Sequence, residues 1–572
     1  MANHTVSHSF ANPVQKILNV IRLEKNEISS IYFYAILSGA IQLSMPLGIQ
    51  SIISFVMGGA ISTSLVIMIF FVVFAVFING LLQVNQMRLI EKIQQKIFVR
   101  YAFEFSNKLP KINLQSVDGY YLPELINRFF DTVTLQKGIS KLLLDIPAAT
   151  IQIIFGIILL SFYHPIFIFF GFTLLVIIIA ILKITSAKGM ESSLKESDYK
   201  YGVAAWLQEL SRVVISFKFS KNKTLHIDKT DQLVVGYLTN RTIHFKVLLF
   251  QYWSLVGFKI AITGAMLIVG SILLINQQLN IGQFIAAEIV ILMVIASIEK
   301  IISNLDTVYD VLTAVEKLAK VTDKPIEKNG TILLPTNTKE GISITLQDVH
   351  FKYVETASEN ILHHINLKIG AGKKVCIIGP TGSGKSTLLS LLSGVYQDYE
   401  GNIFYNNLPA YNYQANSIRE NTGILLSKQS IFKGSLLENI NLGCQEVTPT
   451  EIMQLAEKIG LKAFMEGIQI GFDTELDPLG QRLSANVIQK ILLLRALINE
   501  PKLLLLEQPF DNLSKEVSSA LKTYLLNKNS MHTVLISTND ESIAALCDEV
   551  IYMKNGTIAA FGTWSEVQQK IN

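Results

Sequence analysis

Charge is scarce in this sequence. Asp, Glu, Lys and Arg make up only 16% of 572 residues, while half are hydrophobic. So little charge argues for a membrane protein over a soluble enzyme. A net charge of +4 over this length gives no reason to expect a nucleic-acid partner. Cysteine is scarcer still, with Cys376, Cys444 and Cys547 forming an odd and scattered set. That excludes a disulfide framework and shows no thiolate-metal spacing, which leaves buried or incidental thiols in a reducing cytoplasm. The opening "MANHTVSHSFANPVQKILNVIRLEKNE" has no apolar core of the signal-peptide kind. Residues 1–30 read as a cytoplasmic lead-in with one amphipathic piece, "VQKILNVIRL".

Long apolar runs are what the first half does have. Six are expected to cross a bilayer, near 31–57, 65–83, 146–163, 166–184, 248–275 and 281–299, each close to the ~20 residues a spanning helix needs. The links "GGAISTS", "YHP" and "NQQLN" carry no lysine or arginine. The two remaining links hold Arg88, Lys92, Lys96, Arg100, Lys108, Lys111, Arg128, Lys137 and Lys141, then Lys188, Lys195, Lys200, Arg212 and Lys218. The positive-inside rule puts those loops and both termini in the cytoplasm of an inner or cytoplasmic membrane. Each basic loop is about 60 residues and helix-patterned, which predicts two membrane helices running on into the cytoplasm and joined by a short turn. The turn-bearing pieces are expected at "QSVDGYYLPELINRF" and "KESDYKYGVAAWLQEL".

One carboxylate lies inside a span, Glu288 in "GQFIAAEIVILMVI". A charge there costs a few kcal/mol and faces a cavity or a partner. Two readings stand: a pathway group that meets cargo or a proton, or a hydrated residue at a helix interface. After the sixth run, "IEKNGTILLPTNTKEG" reads as a linker over 326–341. From 342 to 572 short β-rich runs alternate with helical ones, the pattern of an α/β domain.

That domain contains "VCIIGPTGSGKSTLLSLLSGV", an apolar strand, a glycine-rich loop and a helix. Gly379, Pro380, Thr381, Gly382, Ser383, Gly384, Lys385 and Ser386 match G-x-x-x-x-G-K-[ST] in the setting it requires, with Thr387 following. Its glycines let backbone N–H groups turn inward on phosphate oxygens, and the helix N-terminus adds partial positive charge. Lys385 is placed for the β- and γ-phosphates, and Ser386 offers a hydroxyl to Mg²⁺. A P-loop nucleotide-binding fold that takes ATP or GTP with Mg²⁺ is the expectation.

Upstream, "VHFKYVETASENILHHINLKI" sets Tyr353 where the chain resembles the ATP-binding cassette (ABC) family. The resemblance implies that Tyr353 stacks on adenine; the residues alone leave open a strand tyrosine packing on its neighbours. It covers the cassette and, in layout, the membrane half over 31–325, the plan of exporter half-transporters that work as dimers. Fold class is thus an α-helical six-span membrane domain followed by an α/β P-loop cassette. "MPLGIQSIISFV", "LINRFFDTVTLQKGI" and "LNIGQFIAAEIVIL" are similar to the type I secretion branch, which exports peptides and proteins. That branch implies a second half-transporter and a periplasmic adaptor protein as partners. The peptidase domain that many peptide exporters carry ahead of the first span is not expected here.

The remaining family motifs depart from their pattern. The signature LSGGQ is Leu483-Ser484-Ala485-Asn486-Val487, keeping its serine and losing both glycines. Side chains where glycine allowed close backbone approach should weaken the cap that this segment places on ATP held by the opposite cassette. The acid at the end of "LLLLEQPFDNLS" is Glu507, still able to reach Mg²⁺ through water. The water-activating glutamate is replaced by Gln508, the switch histidine by Asn539, and the Q-loop glutamine by Ser427, with Gln429 nearby. An amide orients water but cannot take its proton, and a lost general base costs ~10²–10⁴-fold in rate. The pattern spares binding and strikes hydrolysis. It leaves two functions open: an ATP-binding exporter with weak turnover, or a non-hydrolysing regulatory or scaffold subunit acting through a partner. A working variant with relocated catalytic groups stays open beside them.

Overall fold

In the computed structural model the described residues are 11–22, 24–58, 63–335, 340–353, 359–468 and 470–571. The first ten residues of the expected lead-in, part of the "GGAISTS" link and residues 336–339 of the expected linker lie outside them. The chain folds as two compact units. One runs to Pro110 and resumes over Tyr121–Lys324; the other is Pro325–Asn572 together with Lys111–Tyr120.

The first unit is wholly helical: α1 (Ala11–Arg22), α2 (Lys25–Gln42), α3 (Ser44–Met57), α4 (Thr63–Lys108), α5 (Leu122–Ile126), α6 (Asp131–Tyr163), α7 (Ile166–Arg212), α8 (Val214–Lys218), α9 (Leu225–Ile275), α10 (Ile281–Ser303) and α11 (Leu305–Thr322). At 1.5 Å per residue, α4 with its 46 residues is about 70 Å long, far beyond a ~30 Å hydrocarbon layer. Its apolar first half leaves Phe70, Phe71, Val73, Phe74 and Phe77 outward, while its charged second half follows in the same helix. Lys96 and Arg100 there grip the buried Glu24 at 2.7 and 2.9 Å, tying α4 to the start of α2. Buried His244 of α9 bridges Ser192 of α7 at 2.9 Å and Asp306 of α11 at 3.2 Å.

Five helical stretches among the described residues are long and apolar enough to cross a membrane: Lys25–Met57, Thr63–Lys111, Leu122–Tyr163, Leu225–Ile275 and Ile281–Thr322. The fourth expected run, 166–184, begins α7 but is not one of these five. The first stretch is broken at Leu43, three residues before Pro46. The second turn is not where it was expected. "KESDYKYGVAAWLQEL" continues inside α7, because its alanines, leucines, Gln208 and Glu209 are helix formers and it has no proline. The chain turns later, between α7 and α9, where "SKNKT" supplies the breaking residues.

The second unit contains β1 (Ile344–Phe351), β2 (Leu362–Ile369), β3 (Lys374–Ile378), α12 (Lys385–Leu392), β4 (Glu400–Tyr405), β5 (Leu408–Pro409), β6 (Thr422–Leu425), β7 (Gly434–Ser435), β8 (Glu475–Leu476), β9 (Leu503–Glu507), β10 (Thr533–Ser537), β11 (Glu549–Lys554) and β12 (Thr557–Gly562). β9, β10 and β3 are near-continuous apolar runs, as strands covered on both faces must be. They lie at the centre of a six-stranded sheet ordered β12-β11-β3-β10-β9-β6, parallel except for β12. A four-stranded antiparallel sheet, β2-β1-β4-β5, packs beside it through Ile344, Leu346, Phe351, Leu367 and Leu388. The described part of the expected linker that precedes residue 336 is folded here. Leu334 is buried, Glu327 pairs with Arg419 at 2.7 Å, and Gly330 N–H bonds the Tyr413 carbonyl.

Candidate functional site

The parallel sheet ends its strands on one edge, and the loops leaving β3, β9 and β10 meet there, the usual ligand edge of an α/β sheet. They form a cleft lined by Ile361, Thr381 to Thr387, Glu507, Gln508, Ser537, Thr538 and Asn539. The loop between β3 and α12 curls because Gly379, Gly382 and Gly384 take φ values of 148°, 83° and 99°. A Cβ on Gly384 would stand 2.8 Å from Leu362, and one on Gly379 would collide with the Met553 carbonyl. Pro380 carries the turn, and its carbonyl accepts from Ser383 N–H at 3.2 Å. Ser383 Oγ is buried with no hydrogen-bond partner among the described residues.

Lys385 arches over the loop and donates to the carbonyls of Gly379 at 2.6 Å and Pro380 at 3.0 Å. Burial pushes its ammonium below the ordinary lysine value, against the opposing pull of Glu507. Ser386 Oγ donates to Glu507 Oε1 at 2.5 Å, and Glu507 Oε2 accepts from the Ser427 backbone N–H at 2.9 Å. A hydroxyl and a carboxylate therefore meet at the first turn of α12, a donor pair suited to a hard cation.

The residues at the departing motif positions fall into two groups. Gln508 and Asn539 are exposed in the cleft. Gln508 sits in a left-handed backbone conformation at φ 47°, its N–H held by the Ser537 carbonyl at 2.8 Å. Ser427 joins the site through its main chain alone. Gln429 is turned away: its side-chain oxygen accepts from the Leu426 N–H at 3.0 Å, within its own loop. Ser484 does not line the cleft; it caps the helix Ala485–Leu497, accepting from Val487 N–H.

Tyr353 also stands apart from the cleft lining. Its ring packs edge-on against Phe351 and Tyr396, with centroids 5.1 and 5.4 Å away. Its hydroxyl lies 3.4 Å from Thr387 Oγ1, which links it to α12. Ile361, a lining residue that sequence reasoning missed, offers the cleft an apolar contact where β2 begins. Behind the loop, Cys376 of β3 is buried against Cys547, and that thiol–thiol contact and the burial push its pKa up. In the helical unit, Glu288 of α10 is half-buried, and its Oε2 has no partner among the described residues.

Residues 362–511 match the family model described as ABC transporter, and residues 29–298 the one described as ABC transporter transmembrane region. The chain is 29% identical over 296 residues to the heterocyst differentiation ATP-binding protein HepA of Nostoc, covering 51% of this chain and 48% of that protein. It is 27% identical over 370 residues to the alpha-hemolysin translocation ATP-binding protein HlyB of Escherichia coli, covering 64% and 51%. The chain spans about half the length of the curated relatives it matches. A solved bacterial Atm1-family ABC exporter with ATP bound shares the fold, with a TM-score of 0.79, 18% identity and 96% coverage of both chains.

Proposed function

We propose that this chain, which belongs to the ABC transporter family, is one half of a dimeric exporter that holds ATP firmly and hydrolyses it slowly. The observation that carries this is the composition of the cleft: Lys385, Ser386 and Glu507 are gathered for nucleotide and cation, while Gln508 and Asn539 stand beside them. Glu507 is the sole carboxylate among the described lining residues, and Ser386 and Ser427 already bond to it. That leaves no free base among the described lining residues for an attacking water. The glycine cradle and the Ser383 hydroxyl, which has no partner among the described residues, fit a triphosphate. Ser386 and Glu507 would hold Mg²⁺, which when bound supplies charge neutralisation on the phosphates.

In this reading six helices cross the membrane, α7 supplying the fourth pass, with the cassette and both termini in the cytoplasm. Tyr353 is the residue that stacks on adenine. Ser484 serves ATP held by a second half-transporter, its own copy or another chain, so a partner with intact motifs would restore chemistry only in part. The cargo class is a peptide or protein, a reading supported by the likeness to a hemolysin translocator, and a periplasmic adaptor is the further partner that class needs. Glu288, a membrane carboxylate with one oxygen unpartnered among the described residues, contacts cargo or a proton on its path.

The test is steady-state ATP turnover by the full chain in lipid nanodiscs, with Lys385→Ala as the background. Tight ATP binding with turnover close to that background is the expected result. Rapid turnover by the unpartnered chain, abolished by Lys385→Ala, overturns the slow-hydrolysis reading. If turnover is absent and stays so with any co-purifying half-transporter, the regulatory subunit replaces the exporter.

A further inference from the structure

The geometry points to a binding site for a zinc-class divalent cation on the antiparallel sheet, formed by Asp348 and His350 of β1 and His364 of β2. Asp348 Oδ1, His350 Nε2 and His364 Nδ1 all lie within 4.8 Å of one another. Oδ1 stands 2.7 Å from the His364 nitrogen and 3.3 Å from that of His350. The two rings are 4.2 Å apart between centroids and nearly perpendicular, at 76°.

A regular pair of strands would not build this cluster. Between Leu346 and Val349, β1 takes one residue more than β2; between Val349 and Phe351 the excess is on β2. Asp348 and His364 occupy these irregularities with left-handed backbone, at φ 49° and 47°. Bulges re-aim side chains, and Asp and His tolerate this conformation better than most residues. Asn366 secures both points, accepting from Asp348 N–H at 2.9 Å and donating to the His364 carbonyl at 3.2 Å. On the other flank of β1, Gly401 of β4 leaves room for the Asp348 carbonyl, which a Cβ there would strike.

Two imidazoles and a carboxylate are the donor set of nitrogen–oxygen zinc sites that keep a fourth position for water. Bonds of about 2.0–2.2 Å to a tetrahedral ion place neighbouring donors about 3.3 Å apart. Asp348 and His350 already stand at 3.3 Å. Asp348 and His364 need to part by only about 0.6 Å, and both are exposed. The site lies outside the nucleotide cleft, and its test is independent of the transport reading.

The experiment is equilibrium dialysis of the full chain in detergent micelles against Zn²⁺ alone, using a purification tag without histidine. Nucleotide binding serves as the check that each variant is folded. One equivalent of Zn²⁺ per chain is expected, weakened more than about tenfold by His364→Gln and by Asp348→Asn. His363→Gln, the neighbouring histidine, should leave it unchanged. Co²⁺ in place of Zn²⁺ should show no thiolate-to-cobalt charge-transfer band. Absence of bound Zn²⁺, binding indifferent to both ligand variants, or a thiolate band that assigns the ion to the cysteines would overturn the proposal.

Discussion

Ser386 and Glu507 are joined side chain to side chain, Oγ to Oε1 at 2.5 Å, across the start of α12 and the end of β9. The other carboxylate oxygen takes the Ser427 N–H at 2.9 Å. One acid thus couples the phosphate loop, the central strand and the loop after β6. Both its oxygens are engaged in positioning, so Glu507 is poorly placed to act as a base as well.

Gln508→Glu is therefore expected to raise ATP turnover. The main chain at this position is fixed by the Ser537 carbonyl and does not depend on the side chain. The change adds a proton acceptor with almost no change in shape. A positioned general base is worth ~10²–10⁴-fold; with Asn539 and the altered signature retained, a gain of at least about tenfold is the expectation. An unchanged rate in a coupled-enzyme assay would mean that Gln508 is not what limits hydrolysis.

Lys385 gives the nucleotide site an alkaline limit. Its ammonium is held below the ordinary lysine value by burial, so the charge is lost at a lower pH than for a free lysine. A phosphate needs the protonated form, so affinity for ATP is present at neutral pH and falls as pH rises through that lowered value. ATP is fully ionised across the range and adds no titration of its own. Fluorescent-nucleotide binding should decline before the ~10.4 of a free lysine. Lys385→Ala should give a flat profile weakened by about 1.5–3 kcal/mol. A wild-type profile as flat as the variant's would refute this.

Local signals were legible and through-space ones were not. Leu503 to Leu506 read as a buried parallel strand because four successive leucines have no polar face to expose, and all four are buried. The loop Gly379 to Ser386 was legible because its chemistry is contiguous in sequence. Ser427 was identified by position, but its contribution is a backbone N–H, which no residue identity encodes. Gln429 looked available until its side chain was seen to close its own loop. The left-handed Asp348 and His364 leave no trace in an alternating strand pattern. The turn expected within 195–210 failed because polar residues on an exposed helix face resemble a loop when read without their partners.

The segment Lys111–Tyr120 was also out of reach of sequence reasoning, since it is far from the cassette along the chain yet folds with it. Asp398 is its anchor. Its carboxylate accepts from Asn113 Nδ2 at 2.9 Å and Lys328 Nζ at 3.1 Å, while its main chain pairs with the Gln115 side chain. Partial burial raises the Asp398 carboxyl, but the Asn113 and Lys328 hydrogen bonds outweigh it and leave the group below the usual carboxylate range. A carboxyl lowered on folding stabilises above its unfolded pKa, and that contribution disappears as pH falls through the folded value. Asp398→Ala removes the acceptor for the buried Asn113 amide, a loss of about 1–2 kcal/mol. Hydrogen–deuterium exchange of residues 111–120 in the full chain should then quicken by about tenfold at neutral pH. The wild type should approach the variant's rate on acidification, after correction for intrinsic exchange. If exchange in this segment is unchanged by the substitution at neutral pH, the anchor lies in the Gln115 pairing with the main chain and not in the carboxylate.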